Sequence, residues 1–209
     1  MAQVKKAAVR EAIIESAFRL FSTRGYNGAT LTQIAAGANV SAANVYVYFG
    51  SKLDILFAIY DPWLRDRLTR LEADLAPIPE ARARLAAIVT TLWRDIPAES
   101  NGFANNIMQA LSGATPEEGY DPALIRWCEA TVARLIRDSL PPARRGRLDL
   151  AALSHVLFMA FDGYAMNHRI NDRAACSPAT IALICDLLLG DGAAEGRSAA
   201  TGRARRRSS

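Results

Sequence analysis

The segment that decides the fold is TLTQIAAGANVSAANVYVYFGSK, residues 30–52. Thr30 and Gln33 have the T-x-x-Q spacing of a capping box, so a helix is expected to begin directly after Thr30. Asn39 interrupts the apolar spacing of that helix, and asparagine tolerates the left-handed backbone of a tight turn. Ser41 is a good N-cap for a second helix. The segment therefore predicts two short helices joined by a turn, a helix-turn-helix.

The second of these helices is expected from Ala42 to Phe49. Val45 and Phe49 lie four residues apart and are expected to face the neighbouring helices, which leaves small and polar side chains outside. Small residues let a helix approach base edges, and tyrosine hydroxyls can bond phosphates. The alternative is a helical hairpin that serves packing only. A DNA-binding helix fits better, because packing alone does not require exposed Tyr46 and Tyr48.

The residues around this segment resemble a known family. Residues 10–60 are similar to the N-terminal domain of the tetracycline-repressor (TetR) family of bacterial transcription regulators, through AFRLFSTRGYNGATLTQIAAGANVSAANVYVYFGSK. The shared motifs are LF-x-x-x-GY, T-x-x-x-IA and Y-x-YF-x-SK. Two positions depart from the family pattern. Asn39 replaces a typical glycine, and Gly37 lies inside a helix, where it is expected to cost up to ~1 kcal/mol relative to alanine.

The expected roles in DNA binding follow from side-chain chemistry. Asn44 can bond adenine through its amide, and the methyl groups of Ala42 and Ala43 can meet thymine methyls. Thr32, near the start of the first short helix, is expected to reach a base or a phosphate. The residues assigned mainly to phosphates are Thr30, Ser41, Tyr46, Tyr48 and Lys52.

The charge of the chain is concentrated at its two ends. Residues 1–60 carry six basic and three acidic side chains, residues 61–190 carry 14 and 16, and residues 191–209 carry five and two. A basic N-terminal segment beside a near-neutral middle fits a DNA-binding domain attached to a domain that does not bind DNA. No signal peptide and no membrane-spanning run is recognised, so the protein is expected to be soluble and cytoplasmic.

The chain as a whole predicts an all-α fold of about nine helices. The first helix is expected from about Lys6 to Arg24, and the fourth from Ser51, with a kink or a restart at Asp61-Pro62. Later helices are expected at 79–95, 99–112, 121–139, 149–170 and 177–189. The expected domains are 1–50, a three-helix DNA-binding domain; 51–190, a larger helical ligand-binding and dimerisation domain; and 191–209, a disordered basic tail.

Two late helices are candidate dimer contacts. The segment from Leu150 to His168 is apolar on more than one face, so it must be covered on two sides. Together with the segment from Thr180 to Gly190, it predicts a homodimer through helices 149–170 and 177–189, and the family resemblance implies the same arrangement. Core packing within one chain is the alternative. A two-fold dimer would bind a palindromic double-stranded DNA operator with half-sites ~34–36 Å apart or further.

The second domain also contains candidate ligand contacts. Large polarizable side chains on several helices suit an apolar small-molecule effector, although core packing explains each of them equally well. His155, Asp162 and Arg169 recur every seven residues. If their helix face is buried, Asp162 would orient a polar or cationic ligand. The candidate ligand contacts are Trp93, Phe103, Asn106, Met108, Trp127, Phe161, Asp162 and Met166.

No enzymatic chemistry is recognised in the sequence. Catalytic carboxylate pairs, nucleophile motifs, phosphate loops and metal-ligand spacings are not found, so no catalytic residue, metal or cofactor is expected. Cys128, Cys176 and Cys185 lack C-x-x-C spacing and are expected to be free buried thiols.

The function expected is a sequence-specific DNA-binding regulator, a repressor released from its operator by a small, largely apolar effector, with activation left open. The alternative is a non-specific or architectural nucleic-acid-binding protein that uses the basic tail. The tail is rich in arginine, glycine and serine, so it can bind phosphate without a folded core.

Overall fold

A computed structural model describes residues 2–114, 121–170 and 176–190, without the side chains of residues 2–5 and 167–170. Within these ranges the chain is helical and contains no strand, which confirms the all-α prediction. The tail, residues 191–209, lies outside the described residues. The helices in chain order are α1 (Ala2–Gly28), α2 (Leu31–Gly37), α3 (Ala42–Tyr46), α4 (Lys52–Leu75), α5 (Ala81–Thr90), α6 (Ile96–Ala98), α7 (Phe103–Gly113), α8 (Ala123–Ser139), α9 (Pro142–Arg145), α10 (Leu150–Ile170) and α11 (Pro178–Leu189).

The capping and turn signals of the helix-turn-helix are confirmed. Thr30 Oγ1 accepts from the backbone N–H of Gln33 at 3.2 Å, and the Gln33 side chain accepts from the backbone N–H of Thr30 at 3.1 Å. Asn39 has a φ of 56°, in the left-handed region that asparagine tolerates. Gly25, with a φ of 72°, interrupts α1 directly after Arg24, the expected end of the first helix. Local sequence therefore sets these boundaries.

Gly37 has a packing role that its helix propensity did not reveal. A Cβ atom at this position would lie 2.2 Å from Ser16 Oγ, far inside van der Waals contact. Ser16 on α1 is buried and donates from Oγ to the carbonyl oxygen of Ile34 on α2 at 2.9 Å. The two helices approach so closely that only a hydrogen atom fits at Gly37. The missing side chain therefore permits the contact between α1 and α2.

The long helix α4 joins the helix-turn-helix to the later helices. It begins at the predicted capping box, in which Ser51 and Asp54 each accept a backbone N–H of the other. It continues through Pro62 without a break. Of the two predicted outcomes at Asp61-Pro62, the restart does not occur, because the Asp61 carboxylate pairs with Arg65 one turn further along instead of capping a new helix; the kink stays a prediction. Since α4 packs on α1 and also on α5, α7 and α8, the domain boundary at residue 50 stays a prediction.

The later helices lie within a few residues of their predicted positions. The helix expected at 79–95 is α5, followed by the π-helical segment Thr91–Asp95, which leads directly into α6. The short helix α9 was not indicated by the sequence pattern. Together with α4, these helices enclose the part of the continuous apolar core that we call the second core, which includes Leu68, Leu85, Ile88, Leu92, Val132, Leu135 and Ile136.

Candidate nucleic-acid interface and effector cavity

Helix α3 is fixed against its support by two buried side chains. Val45 is fully buried and Phe49 is nearly so, as predicted. The guanidinium of Arg10 on α1 lies over the Phe49 ring, 5.1 Å from its centroid. Ser41 Oγ accepts from the backbone N–H of Asn44 at 3.2 Å and so caps the helix, as predicted. The helix ends at Tyr46, earlier than expected, and a turn carries the chain to Phe49.

The opposite side of α3 is open to solvent. Tyr46 and Val47 are 58% and 68% exposed, and Ala43 is also exposed. Ala42, Asn44 and Tyr48 are half-buried at the edges of this surface. The sequence pattern did not single out Val47, although its position two residues from buried Val45 is the signal that would have placed it outside. We call the surface formed by residues 42–44 and 46–48 the α3 face.

Three hydroxyl-bearing residues, Thr30, Thr32 and Ser41, lie at the starts of α2 and α3. The hydroxyl oxygens of Thr30 and Ser41 accept backbone N–H groups at the starts of α2 and α3, and each residue is exposed. Each O–H can still donate, because a capping hydroxyl uses only its acceptor capacity. Thr32 is exposed in the first turn of α2.

Lys52 was assigned mainly to phosphate, but in the structure its ammonium group contacts the backbone of the protein itself. Its ammonium donates to the carbonyl oxygens of Tyr26 at 2.9 Å and Ala29 at 3.1 Å, and lies 4.0 Å from the centroid of the Tyr26 ring. These carbonyls belong to the end of α1 and the segment before α2, where helical backbone acceptors are left without intrahelical donors. Lys52 therefore anchors the start of α4 to the end of α1, and its assignment as mainly a phosphate contact stays a prediction.

A cavity of about 380 Å³ lies among helices of the second core. This volume is at the lower end of the range for small-molecule pockets. Its wall is formed mostly by aliphatic and aromatic side chains. The lining residues are Phe57, Leu64, Leu92, Ile96, Phe103, Ile107, Leu111, Leu124, Ile125, Cys128, Glu129, His155, Phe158, Met159, Phe161 and Asp162.

Three of the predicted ligand contacts, Phe103, Phe161 and Asp162, line this cavity. The rest of the lining comes from further positions on α7 and α10 and from α4, the segment Thr91–Asp95, α6 and α8, and only apolar spacing on each helix could have indicated most of those residues. Such spacing does not distinguish a cavity wall from a filled core. The sequence therefore located the helices of the cavity but missed most of its wall.

The other predicted ligand contacts have different surroundings. Trp93 donates from Nε1 to the Leu157 carbonyl oxygen at 2.8 Å and packs within the core. The ring of Trp127 lies under the Arg65 guanidinium, 4.5 Å away. Met108 packs against the core, Met166 is exposed on α10, and Asn106 is bonded to other helices. The cavity lining does not include Trp93, Asn106, Met108, Trp127 or Met166, and their assignment as ligand contacts stays a prediction.

The polar groups of the cavity lie on α8 and α10. His155 Nδ1 is 2.8 Å from Glu129 Oε1, and His155 is exposed. Asp162 is exposed at the edge of the cavity, and its partial burial raises the pKa of its carboxyl above the ordinary value. The third member of the seven-residue pattern, Arg169, has a side chain outside the described part of the chain. The two described members of the predicted face are therefore exposed, so the condition of a buried face is not met, although His155 and Asp162 both line the cavity.

Helix α7 connects the cavity to the helix-turn-helix. Phe103, Ile107 and Leu111, at i, i+4, i+8 spacing, line the cavity. On another side of α7, fully buried Asn106 donates from Nδ2 to the carbonyl oxygen of Phe21 on α1 at 3.3 Å. Gln109 Oε1 accepts from the backbone N–H of residue 27 at 3.0 Å. We call these bonds from Asn106 and Gln109 to α1 the α7–α1 clasp.

The three cysteines are free and buried, as predicted. Burial raises the pKa of the Cys128 thiol to about 12, and burial also raises the pKa of Cys176 and of Cys185. A thiol is reactive mainly as its thiolate. These thiols are therefore held in their unreactive form at neutral pH.

Known proteins share the N-terminal segment that contains α2 and α3. A profile of the tetR family of bacterial regulatory proteins matches residues 13–59, which contain the α3 face and its supports. The match covers 47 of the 209 residues, so it places this segment, and not the whole chain, in the TetR family of bacterial regulatory proteins. The transcriptional regulator RutR of Escherichia coli (strain K12) is 34% identical over 112 residues, which are 52% of this chain and 50% of RutR. The chain thus spans about half the length of the curated relatives it matches.

Solved structures share the fold over most of the chain. FadR from Bacillus subtilis, in complex with stearoyl-CoA, superposes with a TM-score of 0.61 at 19% identity, covering 86% of this chain and 97% of FadR. A regulator from Saccharomonospora viridis, in complex with choline, superposes with a TM-score of 0.55 at 22% identity, covering 86% and 92%. At these identities the likeness shows the fold.

Two other kinds of site are absent from the described residues. Among them, no helix has the length and apolar content needed to cross a bilayer. No group of three or more His, Cys, Asp or Glu side chains in the same part of the chain is arranged to hold a metal ion.

Replacing Lys52 with methionine is expected to destabilise the protein by about 1 kcal/mol, since two backbone carbonyls lose a charged donor. Thermal unfolding measures the loss. Titration of DNA at several salt concentrations supplies the control, because a phosphate contact contributes about 0.9 to the slope of log K against log salt. We expect the slope to be unchanged. If the slope of log K against log salt fell by about one in magnitude while thermal stability stayed unchanged, Lys52 would be a phosphate contact and not a structural anchor.

Proposed function

We propose that the chain is a dimeric, sequence-specific DNA-binding transcriptional regulator, a repressor released from its operator by a small effector. The observation that carries the proposal is the α3 face, which presents Asn44, Tyr46 and Val47 on a capped helix fixed by buried Val45 and Phe49. A short helix with small and polar side chains on its open side suits the major groove. RutR, to which the chain is similar, is a transcriptional regulator.

In this proposal the α3 face divides into base and phosphate contacts. Asn44 bonds adenine through its amide, and the methyl groups of Ala42, Ala43 and Val47 meet thymine methyls. Thr32 reaches a base or a phosphate. The phosphate contacts, which position the helix without selecting sequence, are Thr30, Ser41, Tyr46 and Tyr48.

Changing Asn44 to alanine is expected to cost ~1–3 kcal/mol on the preferred DNA and to relax specificity at one base pair. The DNA is obtained by selection from a random duplex library with the wild-type chain. Tyr46→Phe is the contrasting variant, because it removes only a hydroxyl assigned to phosphate and should weaken binding about equally on all sequences. If Asn44→Ala also loses affinity equally on all sequences, the assignment of Asn44 to base recognition is wrong.

The homodimer is proposed through α10 and α11. Both helices expose large apolar side chains to solvent, which is unfavourable for a monomer when they form a continuous patch. A two-fold dimer would cover them and place two α3 faces on one operator. The exposed apolar residues of the two helices are Val156, Met159, Met166, Leu183 and Leu187.

Regulation is proposed to act through α7. A ligand in the cavity contacts one side of α7, and the α7–α1 clasp holds the other side on α1. An effector that prefers a conformation with the wrong separation of the two α3 faces would shift the population away from DNA binding. The complexes of FadR with stearoyl-CoA and of the Saccharomonospora viridis regulator with choline support a small-molecule effector. A bacterial operator would place the protein in the cytoplasm.

The alternative of a non-specific or architectural binder depends on residues 191–209, outside the described residues. Similarity to transcriptional regulators favours the specific regulator, and it also favours a protein that is not an enzyme. Deletion of residues 191–209 separates the two functions. A specific regulator keeps its preference for the selected DNA, whereas an architectural binder loses most of its affinity.

A further inference from the structure

We infer that the cavity binds an apolar amine, a ligand with one hydrocarbon body and one cationic group beside Asp162. This inference rests on the proposed function, because it names the chemical class of the effector. The cavity has an apolar interior and a polar side, and the arrangement of charge on the polar side decides which ligands fit.

The interior of the cavity favours a hydrocarbon body. Except for Glu129, His155 and Asp162, every lining residue is aliphatic, aromatic or cysteine. Cys128 is fully buried, and burial keeps its thiol protonated at neutral pH by raising its pKa to about 12. The interior therefore offers no strong hydrogen-bonding group to a polar ligand, whereas four phenylalanine rings can contact alkyl or aromatic groups.

The polar side of the cavity has an excess of acidic groups. The Glu129 carboxylate is bonded to His155. The Asp162 carboxylate, in contrast, has no hydrogen bond or ion pair with any described group. Among the residues that line the cavity, His155 is the one basic side chain, and it is 2.8 Å from Glu129. Arg65, whose charge acts on the Cys128 thiol, is not a lining residue and is already paired with Asp61. A ligand that reaches Asp162 therefore meets an uncompensated carboxylate.

This charge selects between ligands of similar shape. An anionic head group at the cavity edge would be repelled by Asp162 and Glu129, and a neutral one would remove water from Asp162 without replacing its charge. A cation would offset that loss of hydration and form a charge-assisted hydrogen bond. The raised pKa of the Asp162 carboxyl is what a carboxylate in apolar surroundings without a cation should have.

The test uses three probes that share one hydrocarbon chain and differ in the head group: decylamine, decanol and decanoate. Binding to the full chain is measured by calorimetric titration at pH 7, below the concentration at which each probe forms micelles. We expect decylamine to bind at least about tenfold more tightly than either other probe, with one molecule per chain. Decanol or decanoate binding as tightly as decylamine would overturn the inference.

Two variants assign the selectivity to its residue. Asp162→Asn keeps the shape of the exposed side chain, and it should reduce decylamine binding about tenfold while leaving decanol binding unchanged. Asp74→Asn removes one exposed carboxylate that does not line the cavity, so it controls for net charge. Equal losses in the two variants would show general charge attraction and would overturn the assignment to Asp162.

DNA titration distinguishes failure of the inference from failure of the proposed function. The wild-type chain and Asp162→Asn are titrated with the selected DNA before any probe is added, and both should bind it equally. A chain that binds DNA specifically but prefers decanoate or decanoyl-coenzyme A to decylamine remains a regulator, and the cationic effector is then wrong. A chain that prefers decylamine but selects no DNA sequence keeps its ligand class and loses the proposed function.

Discussion

Replacing Asn106 with alanine is expected to lower the free energy of unfolding by about 2–4 kcal/mol. Asn106 is fully buried, and its Nδ2 donates to the Phe21 carbonyl oxygen and to the Tyr60 hydroxyl, 3.0 Å away. Both acceptors would lose a donor in a place that water does not readily reach. Burial already raises the pKa of Tyr60, which indicates how poorly this region solvates charge. Thermal and denaturant unfolding measure the loss.

The same variant tests the α7–α1 clasp. Asn106→Ala should bind ligand in the cavity while its DNA affinity responds less to that ligand, because one of the bonds between α7 and α1 is absent. Ser112→Ala is the control on the same helix, since Ser112 is exposed and its hydroxyl bonds only within α7 among the described residues. An Asn106→Ala chain that is as stable as the control and responds fully to ligand would contradict the role given to the clasp.

Replacing Gly37 with leucine is expected to destabilise the chain by about 3 kcal/mol. The Cβ alone would lie 2.2 Å from Ser16 Oγ and 3.0 Å from Arg19 Nη2, so α1 and α2 must separate. Separation also weakens the hydrogen bond from Ser16 to the Ile34 carbonyl oxygen. Helix propensity alone predicts the opposite sign, a gain of about 0.8–1 kcal/mol on replacing glycine in a helix. The sign of the change in unfolding free energy therefore decides between packing and propensity.

Gly113→Leu provides the matched control for this substitution. A Cβ at Gly113 on α7 would meet no heavy atom within 4 Å, so leucine should fit without a clash and change stability little. The Gly37 variant should also lose DNA affinity, since the α1–α2 contact supports α3. A Gly37→Leu chain as stable as Gly113→Leu would mean that α1 and α2 can move apart freely.

Local signals in the sequence predicted the helix-turn-helix well. Thr30, Ser41 and Ser51 each cap a helix by accepting the backbone N–H three residues further along. Asn39 adopts the left-handed backbone conformation in the turn between α2 and α3. Such features depend on a few neighbouring residues, so one sequence is enough to predict them. The outward position of the α3 face follows in the same way from the burial of Val45.

Features that depend on distant partners were not predictable in this way. The carbonyl acceptors of Lys52 lie 23 and 26 residues earlier in the chain, and the acceptor of Asn106 on α1 lies 85 residues earlier. The wall of the cavity combines side chains from Phe57 to Asp162. Spacing along a helix indicates which side is buried, but it does not say whether that side meets another helix or a ligand.

Selection of DNA by the wild-type chain from a random duplex library tests sequence-specific recognition by the α3 face most directly. The account predicts enrichment of one palindromic sequence, with half-site centres ~34–36 Å apart or further, and two chains bound per site. At fixed salt concentration, the enriched DNA should bind at least ~10³-fold more tightly than a shuffled duplex of the same composition. A library that remains unenriched, with enriched and shuffled DNA bound equally, would contradict the account.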